Sequence, residues 1–171
     1  MTFTQCQEAR FSVRRYSSRT VDTSLIQEVL QAGRRSPTAC NKQPQRILVL
    51  QSEEAVAKAA KAANIHGGPC VLVVCADRTK SWVRPYDGMN SAVIDATIVT
   101  DQMMMAATER GLSSLWICHF NPDILREELE LPNEWLPVNL LVLGYAADGV
   151  QADPDRFETN RLPLTETCFF R

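Results

Sequence analysis

The chain has 171 residues, 45% of them hydrophobic, and a formal net charge of −2 at pH 7. That length suits one domain, residues 1–171, able to bury roughly 70% of the surface its unfolded form exposes without disulfides or metals. The charge balance argues against a nucleic-acid binder that works by neutralising phosphates, and no stretch approaches the ~18 apolar residues that would span a bilayer.

Met1-Thr2-Phe3-Thr4-Gln5-Cys6 lacks the basic and apolar regions of a signal peptide, so a cytoplasmic protein is expected. Thr4 and Gln7 have capping-box spacing, which predicts a short helix from about Thr4 to Arg10. Asp22 and Thr23 can cap a second helix that carries Leu25, Ile26, Val29 and Leu30 on one face and ends near Gly33. Ile47 to Leu50 reads as a buried strand, and Ser52-Glu53-Glu54 opens an alanine-rich helix with its acids at the positive end. Gly67-Gly68-Pro69 breaks the pattern. Cys70 to Ala76 has too little polar alternation for a solvent-facing strand and belongs centrally in a sheet. Asp77 to Met89 is polar and irregular. A long helix is predicted from about Ser91 to Arg110, with Ile94, Ile98 and Met105 at helical spacing and Gly111 to end it. Leu115 to Cys118 reads as a strand, Asn121-Pro122-Asp123 as the cap and first turn of a helix, and Val138 to Tyr145 as a last strand. The tail from Ala146 to Arg171 has little periodicity but ends in Cys168-Phe169-Phe170, which suits packing on a partner subunit. This alternating order, by itself, favours a parallel sheet.

Two segments carry chemistry. Up to residue 46 there are eight Lys and Arg against Glu8, Asp22 and Glu28, a local positive field suited to a small anion. Within it, Arg10-Phe11-Ser12-Val13-Arg14 sets Arg10, Ser12 and Arg14 on one side of an extended strand, two guanidinium forks around a hydroxyl. That set suits a phosphate monoester. Ser36-Pro37-Thr38-Ala39-Cys40-Asn41-Lys42-Gln43-Pro44 is held off helix by its prolines and offers amides able to read a polar ring edge. The six cysteines form no C-x-x-C pair, and neither His66 nor His119 stands at zinc spacing from them, so reduced thiols and no metal site are expected.

In order along the chain, these two segments resemble the R-x-S-x-R-x-[FY] and S-P-[ST]-x-x-N-x-Q-P signatures of the nitroreductase family. Gly111-Leu112-Ser113-Ser114-Leu115-Trp116-Ile117 is similar to the family's G-L-[GS]-[ST]-x-W-I segment, and Asn160-Arg161-Leu162-Pro163-Leu164 to its closing [KR]-x-R-x-P-L run. The resemblance implies an α+β, three-layer fold whose mostly antiparallel sheet is flanked by helices, assembled as an intertwined homodimer. It implies FMN at the dimer interface, a reduced nicotinamide, NADH or NADPH, as donor, and a small molecule as electron acceptor. By position Arg10, Ser12 and Arg161 hold the phosphate, Phe11 contributes main chain and Arg14 approaches the pyrimidine edge. Pro37, Thr38, Ala39 and Asn41 of the other subunit line the ring and ribityl chain. Trp116-Ile117-Cys118 runs along the flavin with the Cys118 N–H near N5.

The chain departs from that pattern twice. The family often has a second basic residue two positions before the closing arginine, where this chain has Thr159. Many members place an Asn and a Lys at the flavin edge between the first two strands; here Asn64, His66 and Gly67 are the only candidates, and they do not align. His119 is read either as a proton donor, as a residue that narrows the pocket, or as an ordinary exposed residue after a strand. Cys118 and Cys40 are read either as flavin neighbours or as packing residues. Trp82 and Tyr86 can cover a substrate pocket or lie on the surface. Reduction of nitroaromatics or quinones leads the functional readings. The alternatives are another substrate for the same fold, such as enoate reduction or dehalogenation, and a flavin-binding or storage module with little turnover.

Overall fold

A computed structural model describes residues Met1–Arg171. Four strands, β1 (Gln45–Leu50), β2 (Cys70–Asp77), β3 (Ser113–Ile117) and β4 (Trp135–Gly144), form one sheet in the order β1-β2-β4-β3. Every neighbouring pair is antiparallel. The parallel sheet that element order favours is therefore overturned, and the antiparallel one implied by the family signatures is present. Alternation of helices and strands fixes only that each connection crosses a layer. It does not fix the direction in which the next strand returns.

As its apolar run predicts, β2 lies inside the sheet, and all eight of its residues are buried. Its pleat divides the core in two. Cys70, Leu72, Val74 and Ala76 face a cluster built with α2 (Thr23–Arg34) and α4 (Ala92–Glu109). Val71, Val73 and Cys75 face the opposite cluster, built with α3 (Glu53–Ala62) and α5 (Pro122–Glu128). Three layers result. Burial pushes the thiols of Cys70 and Cys75 up to about 12, so both are inert packing groups at neutral pH.

The termini of the elements follow local chemistry. A capping box starts α1 (Phe3–Ala9), but its pair is Thr2 and Gln5 rather than Thr4 and Gln7, so the helix begins and ends earlier than predicted. Thr2 has the same spacing in the sequence, and periodicity cannot choose between two overlapping boxes. Ser52 caps α3 by accepting from the Ala55 N–H, and the Asn121 side chain accepts from Asp123 and Ile124 at the start of α5. Asp22 stands at the cap of α2 without a side-chain bond to it. Gly33 lies near the end of α2 as expected, the last residue but one, where a Cβ would come 2.8 Å from Met103 Cγ, and so lets α2 approach α4.

The longest helix, α4, has 18 residues and runs for about 27 Å. Ala92, Ala96, Val99, Met103 and Ala107 form its buried stripe. The stripe singled out by spacing, Ile94, Ile98 and Met105, is not in the core: Ile94 is 49% exposed, and Ile98 and Met105 are half-buried. No helix is long and apolar enough to cross a membrane. Two short helices, α6 (Arg156–Thr159) and α7 (Leu164–Thr167), carry the tail, and Phe169 and Phe170 at its tip are exposed.

Gly144 sits where β4 passes under Tyr16, and a Cβ there would lie 2.7 Å from both Pro69 Cδ and Tyr16 Cδ1. Gly144→Ala is expected to destabilise the protein by about 1–3 kcal/mol through overpacking, read as a lower urea midpoint with an unchanged slope.

Candidate functional site

The segment after α1 is extended and bound to the sheet. The Val13 N–H donates to the Ser114 carbonyl at 3.0 Å, and the Ser17 N–H to Tyr145 at 2.8 Å. Val13 is buried while Ser12 and Arg14 are exposed and Arg10 is half-buried, so the predicted alternation is present. Tyr16 anchors the far end, its ring against Gly144 and its hydroxyl donating to the Val142 carbonyl at 3.4 Å. Burial raises the Tyr16 phenol above its ordinary range, with the nearby Arg14 charge opposing.

Arginines gather at the near end. Arg156, on α6, donates to the carbonyls of Glu8 and Arg10 and, at 2.9 Å, to that of Asp153. The guanidinium of Arg156 lies 4.3 Å from the centre of the Phe157 ring, and that of Arg161 lies 5.7 Å from it. Partial burial and the charges of Arg161 and Arg156 lower the Arg10 guanidinium below its usual range, with Asp101 opposing. None of Arg10, Arg14, Arg156 or Arg161 forms an ion pair with a carboxylate. Arg156 Nε is buried without a hydrogen-bond partner. Three guanidinium groups gathered without a paired carboxylate can hold an anion, and guanidinium forks match a phosphate. Arg156 was missed in the sequence because it lies outside the closing motif. Arg156 stands one turn before Thr159 on the same short helix, so a basic residue lies near the closing motif, though not at the position of the signature.

Beyond Arg14 lies a cleft of about 280 Å³, walled by Arg14, by Asn64 and His66, and by the strand end from Leu115 to His119. Arg14 and the segment Trp116-Ile117-Cys118 thus line one site. Asn64 and His66, which the sequence could not align, join them through a tight turn. His66 takes a φ of +55° there, and its N–H donates to Asn64 Oδ1 at 3.0 Å. Trp82 and Tyr86 line neither this cleft nor the larger one beside it.

The second motif lies elsewhere. Ala39–Asn41 is a single 3-10 turn between the two prolines, with positive φ at Cys40, Asn41 and Gln43. Its conformation is set from α4: the Ala39 N–H donates to Asp95 Oδ1 at 2.8 Å, and Ser91 Oγ donates to Asp95 Oδ2 at 2.8 Å. Thr38 Oγ1 accepts from the Gln43 N–H at 3.1 Å and closes the loop. Asp95 itself is buried. Arg10, by contrast, borders Thr108 near the other end of α4. From Asp95 to Thr108 the helix rises roughly 20 Å. One chain therefore brings Arg10, Arg156 and Arg161 together, and Arg14 together with Trp116–Cys118, but keeps Pro37, Thr38, Ala39 and Asn41 apart from the Arg10 end.

The sequence profile of the Nitroreductase family matches residues 8–65 and 57–145. A nitroreductase family protein of Clostridium difficile superposes with a TM-score of 0.96 at 44% identity, over 99% of this chain and 98% of that one. An Archaeoglobus fulgidus protein, provisionally named NADH dehydrogenase/NAD(P)H nitroreductase, is 30% identical over 90% of this chain and 91% of its own length. The fold is shared by a provisionally named nitroreductase of Exiguobacterium sibiricum solved in complex with FMN, with a TM-score of 0.84 at 21% identity, covering 100% of this chain and 98% of that one. With the three-layer antiparallel architecture and the ordered motifs, these matches show that the chain belongs to the nitroreductase family.

Proposed function

We propose that the protein is an FMN-dependent oxidoreductase that takes electrons from NADH or NADPH and passes them, in ping-pong fashion, to small acceptors such as nitroaromatics and quinones. The observation that carries this reading is the cluster of Arg10, Arg156 and Arg161 without a carboxylate partner, joined by one extended segment to the cleft at Arg14. Bound FMN supplies a ring that accepts a hydride from the nicotinamide and hands electrons to the acceptor. The protein supplies position and charge. Arg10, Arg161 and the Ser12 hydroxyl hold the phosphate, with the Phe11 main chain beside them. Arg156 fixes the backbone of Arg10 rather than reaching the phosphate with all its donors, since Glu8, Arg10 and Asp153 occupy most of them. Arg14 places a cation at the pyrimidine edge, where it favours negative charge on the reduced ring.

A second copy completes the site. The loop Pro37–Asn41 and the Arg10 end lie at opposite ends of α4, so a two-fold axis across that helix brings one chain's loop to the other's arginines. The exposed Val93 and Ile94, with half-buried Ile98 and Met105, supply the apolar face for such an antiparallel pairing.

The purified protein is expected to retain absorption near ~450 nm after desalting and to bleach on anaerobic addition of NADH or NADPH. Retained flavin that no nicotinamide bleaches points to another electron donor or to the storage reading, and no retained flavin overturns the cofactor assignment. Arg10→Ala or Arg161→Ala is expected to weaken FMN binding by about 10- to 100-fold, as one charged hydrogen-bonding group is lost. Arg14→Ala should retain the flavin but move its potential to a more negative value, measured by dye-linked reduction. Asp95→Ala frees the Ala39 N–H and is expected to cost about 1–3 kcal/mol. Its companion Asp95→Asn, which keeps an acceptor for that N–H, should recover most of the FMN affinity in the same titration.

A further inference from the structure

A second cleft, of about 1060 Å³, opens between the C-terminal end of α3 and the turn into α5. It shares Asn64, His66 and His119 with the smaller cleft at Arg14, so the two adjoin across these residues. His66 and His119 are the only histidines in the chain, and both stand on that boundary. Asn121, whose N–H donates to the Ala62 carbonyl at 2.9 Å, ties the two walls together.

The polar side chains of this cleft are weighted toward donors. Its lining contains no Asp or Glu. Asn64 spends its amide oxygen on the His66 N–H at 3.0 Å, and Asn121 spends its own on Asp123 and Ile124 at 3.0 and 3.2 Å. Each amide is thereby oriented with its NH₂ free of internal partners, a donor pair only. An imidazole offers an N–H in either protonation state and adds charge when protonated. Lys61 stands at the rim, its ammonium 2.7 Å from Glu128 Oε1. Between these groups the surface is apolar, from Ala60, Ala63, Ile65 and Phe120. Donors around an apolar floor call for a flat, apolar ligand that ends in acceptors.

We propose that this cleft holds the carboxylate of an aromatic electron acceptor, gripped by His66 and His119 beside the Asn64 and Asn121 amides, and so selects acidic aromatic acceptors over neutral ones. The assignment rests on the flavin reading for its purpose, because the shared boundary would put the acceptor's reducible end toward Arg14 and Cys118. The pyrophosphate of the nicotinamide donor is the competing source of negative charge, and the test separates the two.

Benzoate is the probe for binding, and the 4-nitrobenzoate and 4-nitrotoluene pair is the probe for selection. In the protein as purified, titration with benzoate is expected to shift the Cε1–H resonances of both imidazoles together. Flavin-loaded protein should favour 4-nitrobenzoate in kcat/KM by about 10-fold or more, the size of one charge-assisted contact, with the difference carried by KM. The double variant His66→Asn/His119→Ala should bring that ratio close to one, whatever its absolute rate. Asn is chosen at residue 66 because it tolerates the positive φ there. Imidazoles that move with ADP-ribose but not with benzoate overturn the proposal in favour of the donor. A ratio unchanged in the double variant also overturns it. Imidazoles that respond to benzoate in a protein that never takes up flavin support the anion site and overturn the flavin reading alone.

Discussion

Ala92, Ala96, Val99, Met103 and Ala107 close one stripe of α4 against the sheet and α2, and small residues on that stripe and at Gly33 bring the helices into direct contact. A helix seated so tightly cannot slide or roll without opening a cavity or forcing an overlap. Its two ends therefore become fixed points. Asp95 at one end sets the Ala39 turn, and Thr108 at the other borders Arg10. The separation between the Pro37–Asn41 loop and the Arg10 end is thus decided by core packing rather than by loop chemistry, and the proposal that a second chain completes the site rests on it.

The electrostatics follow the same division of labour. Some cations remote from the site are paired, as Arg84 is with Asp87 and Arg110 with Glu28. Arg10, Arg14, Arg156 and Arg161 are not, although each has backbone, aromatic or sheet contacts that hold it or its segment in place. Partial burial and the like charges of Arg161 and Arg156 both work against a charged Arg10, as its lowered guanidinium shows. A ligand that supplies the missing charge offsets that repulsion on binding. The cleft at His66 and His119 differs: it gathers neutral amides and imidazoles with no Asp or Glu in its lining.

What the sequence made legible was what local chemistry decides. The uninterrupted apolar run of β2 announced its central place, the Asn121-Pro122 start of α5 announced its cap, and the alternation of Arg10, Ser12 and Arg14 around Val13 announced which side faces out. Illegible features depended on distant residues. Periodicity in α4 yields two apolar stripes, and nothing in one chain's sequence says that Ile94 belongs to the one outside its core. Strand direction was legible only through family likeness. Asn64 and His66 reach the Arg14 cleft through a turn with a left-handed residue, a geometry that spacing rules do not encode. Arg156 joins Arg10 from the tail, and no local pattern predicts a contact across so much chain.

That last contact has a temporal side. The Arg156 guanidinium closes on a carbonyl 146 residues earlier in the chain. At ~5–20 residues per second of synthesis, the ribosome makes Arg10 roughly 7–30 s before it makes Arg156. The sheet and α4 lie wholly between those two points, so the core can form while the arginine cluster is still open. Chain order thus delivers every strand of the hydrophobic layers before the last two arginines of the cluster, Arg156 and Arg161, are made.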